Sequence, residues 1–363
     1  MHKYQIVESR AGGNNAFSKA PRDVSKIVET CGFKTITISA SSSNSIAGKL
    51  LVKLRRIARY VLIFFRVQKC SVIFVQYPCF SMQIGIGLAT LKLLKIFKKA
   101  RVIILVHDAD EFRYGQKEAS QGKCKIHPLV KLADRIIVHN ARMRDWYQSI
   151  GVEGNRLYSL DVFDYVADVK METGAISIAD SHTVVIASNL DPNAAVYLKF
   201  LKAYSNLRWE LFGPNFSEQE TGGPNVMYNG VLQADELPGK LPPGFGLVWY
   251  GDSKETCNCY FKEYLKIINP HKTSAYLASG LPVIVWKDMG VADFVKSNGV
   301  GFCVNSLDDI EEAISRLTLA QLRKMQVAVN DISQKLRNGY YTKKALETCL
   351  ASMDGTSRVD NKE

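Results

Sequence analysis

Short apolar runs rich in valine and isoleucine recur along the chain, each followed by a polar or glycine-bearing turn and a stretch with helical spacing. Tyr4–Glu8, Lys34–Ser39, Ser71–Tyr77, Arg101–Val106, Arg135–Val138 and Leu157–Leu160 read as a first set of strands. SVIFVQY and RVIILV are apolar on both faces, the mark of buried parallel strands. Helical spacing separates them over about Ser18–Cys31, the segment 49–69, Met82–Lys99, Pro128–Ala133 and Ala141–Ile150, the last closed by Gly151. The β pattern restarts at His182–Ala187 and continues through Arg208–Phe212, Val226–Tyr228, Phe245–Trp249 and Leu281–Trp286 to an edge strand at Gly301–Val304. Helices are predicted over Ala194–Tyr204, Lys272–Ala278, Ala292–Ser297, Leu307–Leu317, Gln321–Arg337 and Thr342–Ser352. Asp309 stands where an approximate capping box would form with Ser306.

Strand–helix alternation therefore occurs twice, on either side of FDYVADVKMETGAISIAD, where the pattern lapses. This predicts an α/β protein with a Rossmann-like domain at 1–168 and a second at 180–325. Residues 326–352 remain as C-terminal helices that can pack back on the first domain. A chain of 363 residues exceeds what one core of about 250–300 residues holds. Two doubly wound domains are expected to bind ligand in a central cleft between them.

The formal charge of +12 suits nucleic acid, a phosphorylated small molecule or an anionic membrane face. No zinc-finger or RRM signature supports nucleic acid. Basic residues are concentrated in KLLVKLRRIARYVLIFFRVQK and KLLKIFKKAR, where they interleave with leucine, isoleucine and phenylalanine. Such helices suit the surface of an anionic membrane, or a solvated outer face packed on a sheet. The polar N-terminus does not read as a signal peptide, and no stretch reaches the length of a membrane span. The eight cysteines lack metal-ligand or disulfide-framework spacing. A cytoplasmic protein, with peripheral contact at the inner face of the cell membrane, is the expectation.

Three stretches carry candidate chemistry. INPHKTSAYLASGLPVIVW, Ile268–Trp286, reads as loop, helix, glycine turn and buried strand. Lys272 and Thr273 would lie beside the unpaired amides of a helix N-terminus, an anion-binding arrangement, although an ordinary αβ unit has the same pattern. The second stretch comprises two strand exits: His107 and Asp108 after RVIILV, with Asp110 and Glu111 following, and His139 and Asn140 after RIIV. Open α/β sheets bind ligands at such exits. The third is the glycine-rich turn after the first strand, where Gly12, Gly13 and Asn15 either approach a ligand or only shape the turn. It has neither GxGxxG nor GxxxxGK[ST].

The glycine-rich first loop, the strand ending in HD, VHNARMRDWYQSIGV, LDVFDY and NPHKTSAYLASGLPVIVW, in that order, resemble a family of bacterial GT-B glycosyltransferases. It includes galactofuranosyltransferases of surface-polysaccharide synthesis and the glucosyltransferase that extends O-linked GlcNAc on serine-rich adhesins. The resemblance runs from about Gly12 to Leu317. It implies two Rossmann-like domains, the C-terminal one holding a UDP-sugar donor and the N-terminal one a glycan acceptor, lipid-linked or on a glycoprotein. On this resemblance Lys272 contacts the diphosphate with Thr273 assisting, and Tyr276 lines the site or packs below it. Ser188 and Asn189 approach the nucleotide, Gly213 borders the base, and Asn14, Asn15 and Ala16 lie near the sugar and phosphate. Two features depart from many GT-B enzymes. The loop SNLDPNAAVY has no basic residue, and KIINPHK offers no carboxylate upstream of the lysine.

The expectation is an inverting hexosyltransferase that moves a glucosyl, galactosyl or galactofuranosyl group, with no metal and no cofactor beyond the donor. Asp108 is assigned as general base, with His107, His139 and Glu111 as alternatives. A homo-oligomer is allowed, and nucleic acid is not expected as a partner. The missing loop cation keeps a second expectation open: an inactive nucleotide-sugar-binding subunit that partners an active transferase.

Overall fold

The computed structural model describes residues 1–9, 16–39, 45–79, 81–82, 85–113, 125–169, 180–259 and 261–356. The glycine-rich turn, with Gly12, Gly13, Asn14 and Asn15, lies outside these residues, as does the side chain of Ala16. The chain forms two compact units. Unit 1 comprises the described residues of Met1–Gly13, Pro21–Leu160 and Thr342–Glu363, and unit 2 those of Asn14–Ala20 and Asp161–Tyr341.

Among the described residues, each unit contains one six-stranded sheet. In unit 1 the strands are β1 (Lys3–Ser9), β2 (Lys34–Ser39), β3 (Val72–Tyr77), β4 (Arg101–Val106), β5 (Arg135–Val138) and β6 (Leu157–Ser159). Their order is β2-β1-β3-β4-β5-β6, all parallel. β3 and β4 are buried almost throughout, which is why their sequences lack the alternation of a half-exposed strand. Helices α1 (Ala16–Thr30), α2 (Ile46–Arg66), α3 (Gly85–Lys98), α4 (Pro128–Leu132) and α5 (Ala141–Ser149) connect them.

In unit 2 the strands are β7 (Thr183–Ala187), β8 (Arg208–Phe212), β9 (Val226–Tyr228), β10 (Phe245–Val248), β11 (Val283–Trp286) and β12 (Gly301–Val304). The order β12-β11-β10-β7-β8-β9 reverses direction between β7 and β10. That reversal opens a crevice at the C-terminal strand ends, where ligands of doubly wound folds bind. Helices α6 (His271–Ala278), α7 (Ala292–Asn298), α8 (Asp309–Ser315) and α9 (Leu319–Arg337) belong to this unit, and α10 (Tyr340–Thr356) continues into unit 1.

The long central run of unit 1 ends at Leu160, and Asp161–Tyr341 falls in unit 2. Asp161 O accepts from Asn269 Nδ2 at 2.6 Å and Asp164 Oδ1 accepts from Tyr341 N at 3.1 Å, so LDVFDY after its first residue is tied into unit 2. The segment 326–352 divides. In α9, Gln326 Nε2 donates to Gly280 O at 3.1 Å and Ser333 Oγ to Ala278 O at 3.0 Å, binding that helix to the end of α6. In α10, Ser352 Oγ accepts from Arg135 Nε at 2.8 Å and Met353 O from Arg101 Nη1 at 2.7 Å, so its end joins unit 1.

Two local features also differ from the sequence pattern. Val196–Ala203 is wound as a 3-10 helix, with Leu198 N bonded to Ala195 O and Tyr204 N to Leu201 O. Its apolar residues at 198, 201 and 204 fit a three-residue repeat as well as an α-helical face. The Asp309 carboxylate accepts from Asn305 N at 2.9 Å and Ser306 N at 3.0 Å, which ties the preceding turn without a reciprocal box. The reciprocal box starts α9, where Thr318 and Gln321 each accept the other's main-chain amide.

Gly246 in β10 lies against the ring of Tyr276, and a Cβ there would overlap it. Tyr276 is fully buried, so neither group has room to retreat. Gly246→Ala is expected to lower unfolding free energy by about 3 kcal/mol, read from the urea midpoint. An unchanged midpoint would show that α6 is not seated tightly on the sheet.

Candidate active site

In unit 2, α6 places its first turn at the reversal between β7 and β10. Its position is set by Tyr276, whose ring rests on Gly246 of β10 and whose hydroxyl accepts from the amide of Ala187, the last residue of β7, at 2.8 Å. Tyr276 therefore packs below the end of β7 and holds α6 against the sheet. Burial pushes its phenol well above the usual tyrosine range, keeping it neutral.

The adjacent loops are knitted together by backbone bonds. Ser188 N donates to Phe212 O and Leu190 N to Pro214 O, both at 2.9 Å. Asn189 Oδ1 accepts from Asn215 Nδ2 at 2.8 Å and from Asp191 N at 3.2 Å. Gly213 has φ +145°, and a Cβ there would strike Ser188 O, so glycine is required for the two loops to touch. The rings of Phe216 and Tyr228 stack 4.5 Å apart beside this loop.

At the start of α6, Pro270 occupies the cap position and supplies no side-chain hydrogen bond. Thr273 N bonds to Pro270 O at 3.0 Å, whereas the amides of His271 and Lys272 meet no acceptor among the described residues. The Lys272 side chain is partly buried, with its ammonium 4.3 Å from the centre of the Tyr250 ring. No carboxylate among the described residues lies within ion-pair distance of it. Desolvation consequently lowers its pKa to about 8. The Thr273 and Ser274 hydroxyls are buried with no hydrogen-bond partner among the described residues. A cation without a counter-ion among the described residues, beside helix amides that meet no acceptor among them, is an arrangement suited to an anion.

Three further residues of unit 2, Lys19, His271 and Tyr250, escaped the sequence reading. Lys19, at 1% exposure, pairs with Asp235 at 2.9 Å and stands 4.7 Å from the Tyr165 ring centre. His271 lies 5.1 Å from that ring. Burial, reinforced by the charge of Lys19, lowers the His271 pKa to about 4. Tyr250 had a legible signal, since it follows directly on the β10 run. Lys19 had none, because it belongs to a helix that starts at Ala16, 166 residues before His182.

In unit 1, His107, Asp108, Glu111 and His139 collect at the ends of β4 and β5. Gln76 Nε2 donates to Pro21 O and Ser25 Oγ, leaving its Oε1 to accept from His107 Nε2 at 2.6 Å. His139 is buried with Nε2 3.1 Å from both Val106 O and His107 O, a geometry that puts the proton on this nitrogen. Its pKa falls to about 4 through burial, and the two carbonyls only partly offset this. His139 thus ties β5 to the exit of β4 and is poorly placed to serve as a base. Glu111 accepts from Tyr77 Oη at 2.7 Å and Tyr147 Oη at 3.4 Å, and burial raises its pKa. Asp108 is partly exposed at the strand exit. Asn140 caps α5, accepting from Met143 N at 3.0 Å. Among the described residues, no cluster of three histidine, cysteine or acidic side chains is arranged to hold a metal ion.

Known proteins share this organisation. Residues 3–162 match the glucosyltransferase 3-like N-terminal domain and residues 184–349 the glucosyltransferase 3-like C-terminal domain. Beta-1,6-galactofuranosyltransferase WbbI of Escherichia coli (strain K12) is 33% identical over 257 residues, 69% of this chain and 72% of that protein. The chain belongs to the glucosyltransferase 3-like family. It is a glycosyltransferase. Glucosyltransferase 3 of Streptococcus gordonii is 26% identical over 262 residues, 70% of this chain and 71% of its own. The fold is GT-B, as in lipopolysaccharide outer core galactosyltransferase WaaB, with a TM-score of 0.61 at 10% identity over 97% of this chain and 99% of that one. Anabaena Alr3699/HepE, solved in complex with UDP and glucose, gives 0.58 at 12% identity over 96% and 100%. These relatives agree with the resemblance carried by the HD exit, LDVFDY and NPHKTSAYLASGLPVIVW, and favour a working transferase over an inactive binding subunit.

In this transferase buried His139 and partly buried His271 are both held neutral, with a measurable consequence. Unfolded imidazoles titrate near pH 6.5 and the folded ones near 4, so the unfolded chain binds more protons between those values. Stability is present above pH 6.5 and declines as the pH falls toward 4, by about 3 kcal/mol for each histidine. NMR titration of the His139 and His271 ring signals is expected to show midpoints near pH 4; midpoints near 6.5 would contradict the desolvation of these rings.

Proposed function

We propose that this transferase moves a hexosyl group, glucosyl, galactosyl or galactofuranosyl, from a UDP-sugar to a glycan acceptor of surface polysaccharide or glycoprotein synthesis. The observation that carries the reading is Lys272, a partly buried ammonium on the first turn of a helix at the β7/β10 reversal, with no carboxylate partner among the described residues. A diphosphate supplies the negative charge that this position lacks. Thr273 and the first amides of α6 support it, and the Ser188–Asn189 and Gly213 loops border the nucleotide. Lys272 and the helix dipole then supply positive charge to the departing UDP without a bound metal. Asn14, Asn15 and Ala16 are assigned to the sugar and phosphate on the family resemblance.

The proposed chemistry is a single displacement with inversion. The acceptor hydroxyl oxygen forms a bond to the anomeric carbon as the bond from that carbon to the β-phosphate oxygen breaks. UDP leaves with the bonding electrons, and the hydroxyl proton passes to the Asp108 carboxylate. Asp108 is preferred because it is partly exposed, whereas Glu111 is held by two tyrosine hydroxyls and His139 by two carbonyls. His107, anchored on Gln76, is assigned to orient the Asp108 segment. The reaction is placed in the cytoplasm; the described cysteines form no disulfide, which suits a reducing compartment.

Lys272→Ala is expected to weaken UDP binding about 10- to 100-fold by calorimetry at pH 7, the range of a charge-assisted contact. In the native protein, UDP affinity is expected to decline as the pH rises through about 8, where the free lysine loses its proton. Undiminished binding by the variant would refute the phosphate role. Asp108→Asn is expected to retain UDP affinity while transfer, followed by released UDP across a donor panel, slows about 10²- to 10⁴-fold. Near-native turnover would remove Asp108 as the base.

A further inference from the structure

Helices α2 and α3 of unit 1 each carry two apolar stripes. The inner stripe packs on the sheet: Tyr60 and Ile63 on α2, and Leu91 and Leu94 on α3, are buried. The outer one faces solvent. On α2 it runs through Leu51, Leu54, Leu62 and Phe65, and on α3 through Ile86, Leu93, Ile96 and Phe97. These positions share one face of each helix and are densest toward its C-terminal end. Phe65 is 73% exposed, Ile96 68% and Phe97 63%.

The two stripes converge at the C-terminal ends of the helices. Lys98 Nζ donates to Val67 O at 2.6 Å and lies 5.0 Å from the centre of the Phe64 ring, and Cys70 N donates to Lys98 O at 2.7 Å. This arrangement holds Leu62 and Phe65 in the same region as Ile96 and Phe97. An outward apolar face of this extent is unusual on a water-exposed surface.

Charge identifies what covers it. Neither helix contains an aspartate or glutamate, whereas α2 carries Lys49, Lys53, Arg55, Arg56, Arg59 and Arg66, and α3 carries Lys92, Lys95 and Lys98. Some of these cations are used internally. Lys95 pairs with Asp134 at 2.7 Å, Lys98 bonds to Val67 O, and Arg59 donates to Thr37 O. By contrast, Arg55, Arg56, Arg66, Lys69, Lys92 and Lys99 are exposed with no carboxylate partner among the described residues.

We propose that the outer face of α2 and α3 docks on an anionic lipid bilayer, with Leu62, Phe65, Ile96 and Phe97 entering the interface and the surrounding lysines and arginines contacting lipid headgroups. Apolar side chains supply the insertion and unpaired cations the attraction to the negative surface, the two terms of interfacial binding. Neither helix is long and apolar enough to cross the membrane, so the contact is peripheral. Charge complementarity favours this occupant over a second copy of the chain, since two copies of a face with no acidic residue would repel. The inference rests on unit 1 surface residues alone and is independent of the donor and base assignments above.

The test is cosedimentation of the full chain with phosphatidylglycerol-containing vesicles and with pure phosphatidylcholine vesicles. Binding is expected to the first and not to the second, and to weaken as salt is raised. The triple variant Phe65→Ser, Ile96→Ser, Phe97→Ser is expected to lose at least about tenfold in vesicle affinity while keeping native UDP affinity, which also reports that it folds. As a check that needs no variant, amide exchange in α2 and α3 is expected to slow when phosphatidylglycerol vesicles are added. Absence of vesicle binding, equal binding to both vesicle types, or a concentration-dependent dimer abolished by the triple substitution without any lipid binding would each overturn the proposal.

Discussion

The contact between Tyr276 and the β7/β10 pair is the constraint on which the rest of unit 2 depends. A single side chain rests on Gly246 and accepts the amide of Ala187, so it fixes α6 against two strands that diverge in connectivity. The hydroxyl bond satisfies a strand-end amide that burial would otherwise leave unpaired. With the helix held there, Lys272 and the unpaired amides of its first turn come to the crevice of the sheet. The placement of the first turn of α6 thus follows from a packing contact one turn further along the same helix.

Buried charge is managed differently in the two units. Around α6, Lys272 meets no carboxylate among the described residues and rests on the face of Tyr250, which supports an ammonium but does not neutralise it. Lys19 is fully engaged by Asp235 and the Val166 carbonyl, and its charge helps to keep His271 neutral. In unit 1 the ionisable residues at the strand exits are secured by hydrogen bonds: Glu111 by two tyrosines, His107 by Gln76 and His139 by two carbonyls. An open cation suits an incoming anion, and rigidly held neighbours suit the orientation of a base. Family membership fits this distribution, with the N-terminal match spanning the Asp108 group and the C-terminal match spanning Lys272.

By itself the sequence determined the alternation of strands and helices, because buried parallel strands such as VIFVQY and RVIILV are local runs that periodicity reports directly. It also determined the family, since NPHKTSAYLASGLPVIVW, LDVFDY and the HD exit occur in order. Lys272 and Asp108 were legible as candidates because each stands at an element boundary. The tertiary structure decided which neighbours those residues have. Tyr276 became a support beneath the site, His139 a buried tie between strands, and Lys19 a member of unit 2 despite its place in the first helix. It also placed the break at Leu160 and divided the last two helices between the units. The physical reason is range: spacing along the chain reports which face of an element is apolar, whereas burial, pairing and desolvation depend on residues far apart in sequence that only folding brings together.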